Sequence, residues 1–283
     1  RDGYKKMVEL LINKGADLNT KADKIKRSTV LPQFDNNLYI MPLLTTEVTI
    51  YNANKNADGA NALIWSIVKK HKDISELLIT AGADVNVKDN NGLTALIAAI
   101  INEQNEIAKL LLTQGADVNA KTTTTKSTAL LVAISAGNSE ITELLINKGA
   151  DVNARYWNRR TALMSPAANQ KEVARLLIDR GGGLNAYDTL GNTALMIWII
   201  LNNKDMVDLL VNKGADVNII NDSGQTALIL AAQFGSKEMV ELLIDKGANV
   251  NVKDDTGRTA MSHASVRIRV AIVKLLKKAG AKE

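Results

Sequence analysis

Between Asp89 and Lys121 the apolar positions form two short clusters at helical spacing, divided by polar residues. Leu96, Ala99 and Ile100 follow the turn signal Asp89-Asn90-Asn91-Gly92, and Ile107, Leu110 and Leu111 follow the polar break Asn102 to Asn105. Thr94 stands where a helix N-cap belongs, its hydroxyl placed to accept from a free backbone N–H. Gly115 stands where a left-handed C-cap belongs. The pattern predicts two short amphipathic helices joined by a turn. Neither can hide its apolar stripe alone, but the same stripe in a stacked neighbour hides both.

The pattern recurs. The phrase Gly-Ala-Asp-Val-Asn, or a close variant, has its glycine at 15, 82, 115, 149, 181, 214, 247 and 280, with spacings of 67, 33, 34, 32, 33, 33 and 33. Thr-Ala-Leu precedes it at Thr94, Thr128, Thr161, Thr193 and Thr226, as Thr-Ala-Met at Thr259 and as Asn-Ala-Leu at Asn61. Paired apolar residues such as Leu110-Leu111 and Leu209-Leu210 mark each second helix. A fixed period of this length means a repeat array rather than one thick core.

These phrases resemble the ankyrin repeat family: a turn, a Thr-led first helix, a second helix with paired leucines, then Gly-Ala-Asp-Val-Asn. The resemblance is strongest over residues 55–283 and implies an all-α ankyrin-repeat solenoid of stacked helix–turn–helix units with projecting turns. The chain departs from the family pattern in two places. The family's Pro after the Thr is Ala throughout, and its His is apolar at Ile97, Met196 and Ile229. About eight to nine repeats are expected, in a single array over 1–283. Residues 1–19 read as a partial repeat, with Gly3 as its inter-helix turn and Met7 to Ile12 in its second helix. Residues 20–58 read as a degenerate repeat or an insertion, the former favoured, and full repeats follow over 59–87, 88–120, 121–154, 155–186, 187–219, 220–252 and 253–283. Two defects are visible: Lys121 to Lys126 lengthens one turn, and Pro166 shortens or kinks the first helix that starts after Thr161.

Composition narrows the chemistry. The chain has no Cys, so disulfides and thiolate metal sites are excluded, while both reducing and oxidising compartments remain open, the cytoplasm slightly favoured over secretion or the periplasm. No apolar run reaches membrane-spanning length. The formal net charge of +5 comes from basic residues interleaved with acids, which is a solvated surface rather than a nucleic-acid stripe. His71 and His263 are the only histidines and lie many repeats apart, too far for a shared metal or catalytic site. Gly181-Gly182-Gly183 replaces Gly-Ala-Asp and is read as a drifted C-cap rather than a phosphate loop. Asp254-Asp255-Thr256-Gly257 is read as an ordinary repeat turn rather than a calcium loop. Trp65 and Trp198 sit in first helices and are read as core. No cofactor, metal or catalytic residue is expected.

The resemblance implies binding through the turn tips and the exposed side of the first helices, which line a concave groove in the family. By position this selects Asn90, Leu93, Leu190 and Asp222 at tips, Tyr187 and Ile220 on the approach to tips, and Phe234 on a first helix. The turn Arg155-Tyr156-Trp157-Asn158-Arg159-Arg160 stands out, because Tyr, Trp and Arg dominate interface energetics. Tyr156, Trp157, Arg159 and Arg160 therefore complete the expected partner site. The expected role is a non-catalytic, monomeric protein-binding scaffold, with neither nucleic acid nor membrane as partner. A small-molecule or nucleotide-sensing array, or the targeting region of a larger enzyme, are the alternatives.

Overall fold

Threonine sets where most first helices start. In the computed structural model, which describes residues 2–20, 60–165, 171–234, 236–266 and 269–282, the hydroxyls of Thr94, Thr128, Thr193 and Thr226 accept from the amides of Ile97, Leu131, Met196 and Ile229 at 3.3 to 3.4 Å. Asn61 does the same for Ile64 at 3.0 Å. Each such helix then runs for about two turns of Ala, Leu and Ile before a polar break ends it.

Two compact units result, Arg1–Asp151 and Val152–Glu283. The first holds α1 (Asp2–Asn13) and the pairs α2 (Ala62–Val68) with α3 (Lys72–Thr80), α4 (Ala95–Ile101) with α5 (Asn105–Thr113), and α6 (Ala129–Ser135) with α7 (Ser139–Asn147). The second holds a 3-10 turn (Ala162–Met164) with α8 (Lys171–Asp179), then α9 (Ala194–Ile200) with α10 (Lys204–Asn212), α11 (Ala227–Phe234) with α12 (Lys237–Asp245), and α13 (Ala260–Val266) with α14 (Val270–Lys278). Among the described residues the only strand-like features are isolated bridges in the turns. Within each unit, first helices pack on first helices and second on second, as α2 on α4 on α6 and α10 on α12 on α14.

In each unit the core is a series of thin layers. Leu63, Leu96, Leu130 and Leu228 are 0% exposed, and so is the second leucine of every pair from Leu78 to Leu276. The first leucine of most pairs is half-buried. This is the stripe the periodicity predicts, and burying it is the main favourable term in folding.

A polar ladder fixes the spacing of the layers. The Asn that closes each Gly-Ala-Asp-Val-Asn phrase accepts from a backbone amide of the next repeat. Asn86 takes the amide of Asp117 at 2.7 Å, Asn119 that of Asp151 at 2.8 Å, and Asn218 that of Asn249 at 2.8 Å. Its side-chain amide donates onward to a glycine carbonyl, as Asn86 to Gly115 at 3.2 Å and Asn218 to Gly247 at 3.1 Å. The drifted phrase keeps the rung, with the Gly183 amide donating to Asn153 at 2.7 Å, as the C-cap reading requires.

The amino-terminal piece departs from expectation. α1 begins at Asp2, so Gly3 lies inside the helix rather than in a turn before it. The rung from Asn19 goes to the amide of Asp84 at 2.8 Å, 65 residues along, and α1 packs on α3. The repeats 1–19 and 60–87 are therefore direct neighbours. Whether residues 20–58 form a degenerate repeat or an insertion concerns positions almost wholly outside the described residues.

The expected defect near Thr161 is present. The first helix there is a single 3-10 turn, and Ser165 has already left helical backbone at ψ 127. Pro166 itself lies outside the described residues. Thr161 is 3% exposed and its hydroxyl caps nothing. Trp198, on the facing α9, stands where most other first helices carry Ala (Ala99, Ala133, Ala231 and Ala264) and α2 carries Ser66. It is 2% exposed and its indole N–H donates to the Leu163 carbonyl at 2.8 Å. One wide side chain thus fills the layer and satisfies a carbonyl beside the truncated helix. Trp65 is half-buried, with the Lys69 ammonium 5.9 Å from its ring centroid.

Candidate partner-binding surface

The projecting turns of the second unit are narrow fingers. Isolated antiparallel bridges pair Arg155 with Thr161, Tyr187 with Thr193 and Ile220 with Thr226. Each finger needs a left-handed residue two positions before its threonine, which Gly191 and Gly224 supply. In the first of these fingers Arg159 takes that conformation instead, at φ 63. A non-glycine there costs of the order of 1 kcal/mol, so a guanidinium stands at the tip against the local backbone preference.

Buried or half-buried side chains brace the fingers from within. Asp188 is 3% exposed; one of its oxygens accepts from the amides of Leu190 and Asn192 at 2.9 and 3.0 Å. Asn221 serves the next finger, accepting from Ser223 and Gln225. Asp254 accepts from Thr256 and Arg258 and pairs with His263 Nε2 at 2.7 Å. The first finger has Tyr156 at the bracing position, and there Asn158 accepts from the Arg160 amide at 3.3 Å. Adjacent fingers are zipped by backbone bonds: Thr189 N–H to Asn158 C=O at 3.1 Å, Asp222 to Leu190 at 3.1 Å, and Asp255 to Ser223 at 3.2 Å. The fingers are thus held as one row before any partner arrives, which lowers the ordering cost of binding.

Burial would by itself raise the Asp254 pKa. The Thr256 hydroxyl, the His263 ring and the Arg258 and Thr256 amides together outweigh it and hold the carboxyl down to about 2. A folded value below the unfolded one means that the stabilisation is complete above about pH 4 and is lost as pH falls towards 2. We expect acid unfolding to cost about 1–2 kcal/mol less in Asp254→Asn over that window. Parallel acid limbs in pH-dependent urea melts of the two proteins would count against it.

The second unit carries most of the exposed large apolar side chains among the described residues. Trp157 is 69% exposed, Leu190 61% and Ile220 58%, followed by Tyr187, Leu201, Ile200 and Phe234. Trp157 does not fold back onto its neighbours. Asp222 is exposed at its tip and Tyr156 is half-buried. The Arg159 guanidinium lies over the Tyr187 ring, 4.5 Å from its centroid, a cation–π contact between successive fingers. Arg160 is committed inward, its Nε 3.3 Å from the buried Asp188 carboxylate. Sequence reasoning missed that link, because nothing in the spacing joins residues in successive fingers. In the first unit Asn90 is exposed and Leu93 half-buried, on a finger zipped to its neighbour by Thr123 N–H to Asn91 C=O at 2.8 Å. No group of three or more metal-ligating side chains occurs among the described residues, and none of the described helices is long and apolar enough to cross a membrane.

Stacked helix pairs with zipped projecting turns define a helical repeat solenoid. The family model described as ankyrin repeats (3 copies) matches residues 33–122, 120–188 and 195–283, and the chain belongs to the ankyrin repeat family. Its first matched stretch begins inside the segment that the structure does not describe. An ankyrin repeat domain from Acinetobacter baumannii AYE, known from its crystal structure, is 33% identical with a TM-score of 0.61; the match covers 66% of this chain and 98% of that one. None of the curated proteins matches the chain. Ankyrin repeats generally mediate protein interactions and are generally not enzymes.

Proposed function

We propose that the chain is a non-catalytic scaffold that binds another protein through the fingers and exposed first-helix positions of its second unit, acting as a monomer. The observation that carries this reading is Trp157, wet over most of its surface on a finger whose backbone is already fixed. Exposed apolar area of this kind, gathered with Tyr187, Leu190, Ile220 and Phe234, marks interaction sites, and Trp, Tyr and Arg are the usual anchors. Tyr156, Arg159 and Asp222 belong to the same surface. Arg160 supports it from beneath, because removing its side chain would strand the buried Asp188 carboxylate. Asn90 and Leu93 are further contact candidates on the first unit.

Peptide display against the full chain tests the reading. Selected binders are expected to lose at least about tenfold in affinity for Trp157→Ala. They should keep it for Val270→Ala, which removes another exposed apolar group, on α14. Binders indifferent to Trp157 would overturn the proposal.

A further inference from the structure

The row of fingers sets a spacing, and the spacing selects a ligand shape. At the position just before each finger brace stand Arg155, Tyr187, Ile220 and Lys253, one from each successive repeat of the second unit. The middle two are exposed and apolar, at 45% and 58%. The outer two are cationic, and neither they nor Arg159 form an ion pair with a described residue. The acids of the neighbouring finger bases are spent internally, Asp188 on Arg160 and Asp254 on His263. The strip therefore reads cation, aromatic, aliphatic, cation, with a cation at each end that no ion pair with a described residue engages, although the exposed carboxylates of Asp222 and Asp255 stand at the neighbouring tips.

Packed helix layers repeat at roughly 10 Å. A polyproline II segment advances about 3.1 Å per residue with three residues per turn, so every third side chain lies on one face and in register with successive fingers, whereas a β-strand turns residues three apart to opposite faces. A helix, at about 1.5 Å per residue, matches this step only near every sixth or seventh residue and turns those side chains off one line. Resting on the protein-binding reading above, we infer that this strip takes a polyproline II segment of a partner protein with the pattern acidic-x-x-apolar-x-x-apolar-x-x-acidic. The apolar pair meets Tyr187 and Ile220, and the carboxylates meet Arg155 and Lys253.

A synthetic peptide Glu-Ser-Pro-Leu-Ser-Pro-Leu-Ser-Pro-Glu tests this directly against the full chain by fluorescence anisotropy. Binding is expected, with a loss of about tenfold when the leucines are moved to two-residue spacing, when Lys replaces both Glu, or for Ile220→Ala. Ile220 is exposed, so its truncation leaves the fold intact, and Lys253→Ala should flatten the salt dependence. Equal affinity for the two-residue peptide, or no binding of any of these peptides, would overturn the inference. The display-selected binders serve as a reference. If they still depend on Trp157 while the three-residue pattern is irrelevant, the register fails and the scaffold reading stands. If they do not depend on Trp157, the scaffold reading itself fails.

Discussion

Replacing Trp198 with Ala should cost about 4 kcal/mol of unfolding free energy, the largest loss expected from any single large-to-small core substitution in the second unit. Two effects add. The side chain is 2% exposed, so its removal leaves a cavity. It also strips the Leu163 carbonyl of its indole partner at 2.8 Å, and a buried carbonyl left unpaired costs about 1–3 kcal/mol. Trp198→Phe separates them, keeping most of the volume while losing the N–H, and should cost about 1–2 kcal/mol. Urea melts of the three proteins measure both numbers. If the Phe variant were as stable as the parent, the carbonyl link would carry no weight. If Ala and Phe were equally damaging, the cavity would carry none.

Gly191→Ala should destabilise by about 2–3 kcal/mol, and Gly257→Ala by only about 1 kcal/mol. Both glycines occupy the same place in their fingers with similar backbone, at φ 73 and φ 76. A Cβ on Gly191 would lie 2.7 Å from Asp222 Oδ1 and 2.8 Å from the Asp222 amide nitrogen, whereas nothing lies within 4 Å of one on Gly257. The shared term is left-handed strain. The difference is the close approach of the next finger, whose amide makes the zipping bond to Leu190. Equal losses in the two variants would mean that the fingers do not hold one another. The Gly191 variant should also weaken the display-selected binders, since Leu190 and Ile220 flank the disturbed bond.

Much of this architecture is written in the sequence because its determinants are local. The Thr caps, the glycine stops and the buried leucine of each pair depend on residues within one turn of one another, so spacing reveals them. Trp198 was readable as core for the same reason, its neighbours being apolar at helical intervals. What spacing does not reveal is contact between repeats. The pairing of Arg160 with Asp188, the indole bond to Leu163 and the asparagine rungs all join residues about thirty positions apart, and no pattern within a repeat announces them. The exposed row at Trp157, Tyr187, Leu190 and Ile220 was legible position by position from the family resemblance. Its rigidity was not, because it comes from the zipping bonds and buried braces. The interval of 67 between Gly15 and Gly82 shows a further limit of spacing. It counts two periods plus one residue, yet chain length does not say which helices touch.

The bond from Asn19 to Asp84 spans 65 residues where the equivalent bond from Asn86 to Asp117 spans 31. Two links of the same geometry are thus closed over very different lengths of covalent chain. The number of residues between the two ends of a rung therefore does not set its geometry; the groups that meet at the seam do. A domain grafted in the laboratory between two rungs should accordingly leave the periodicity on either side undisturbed.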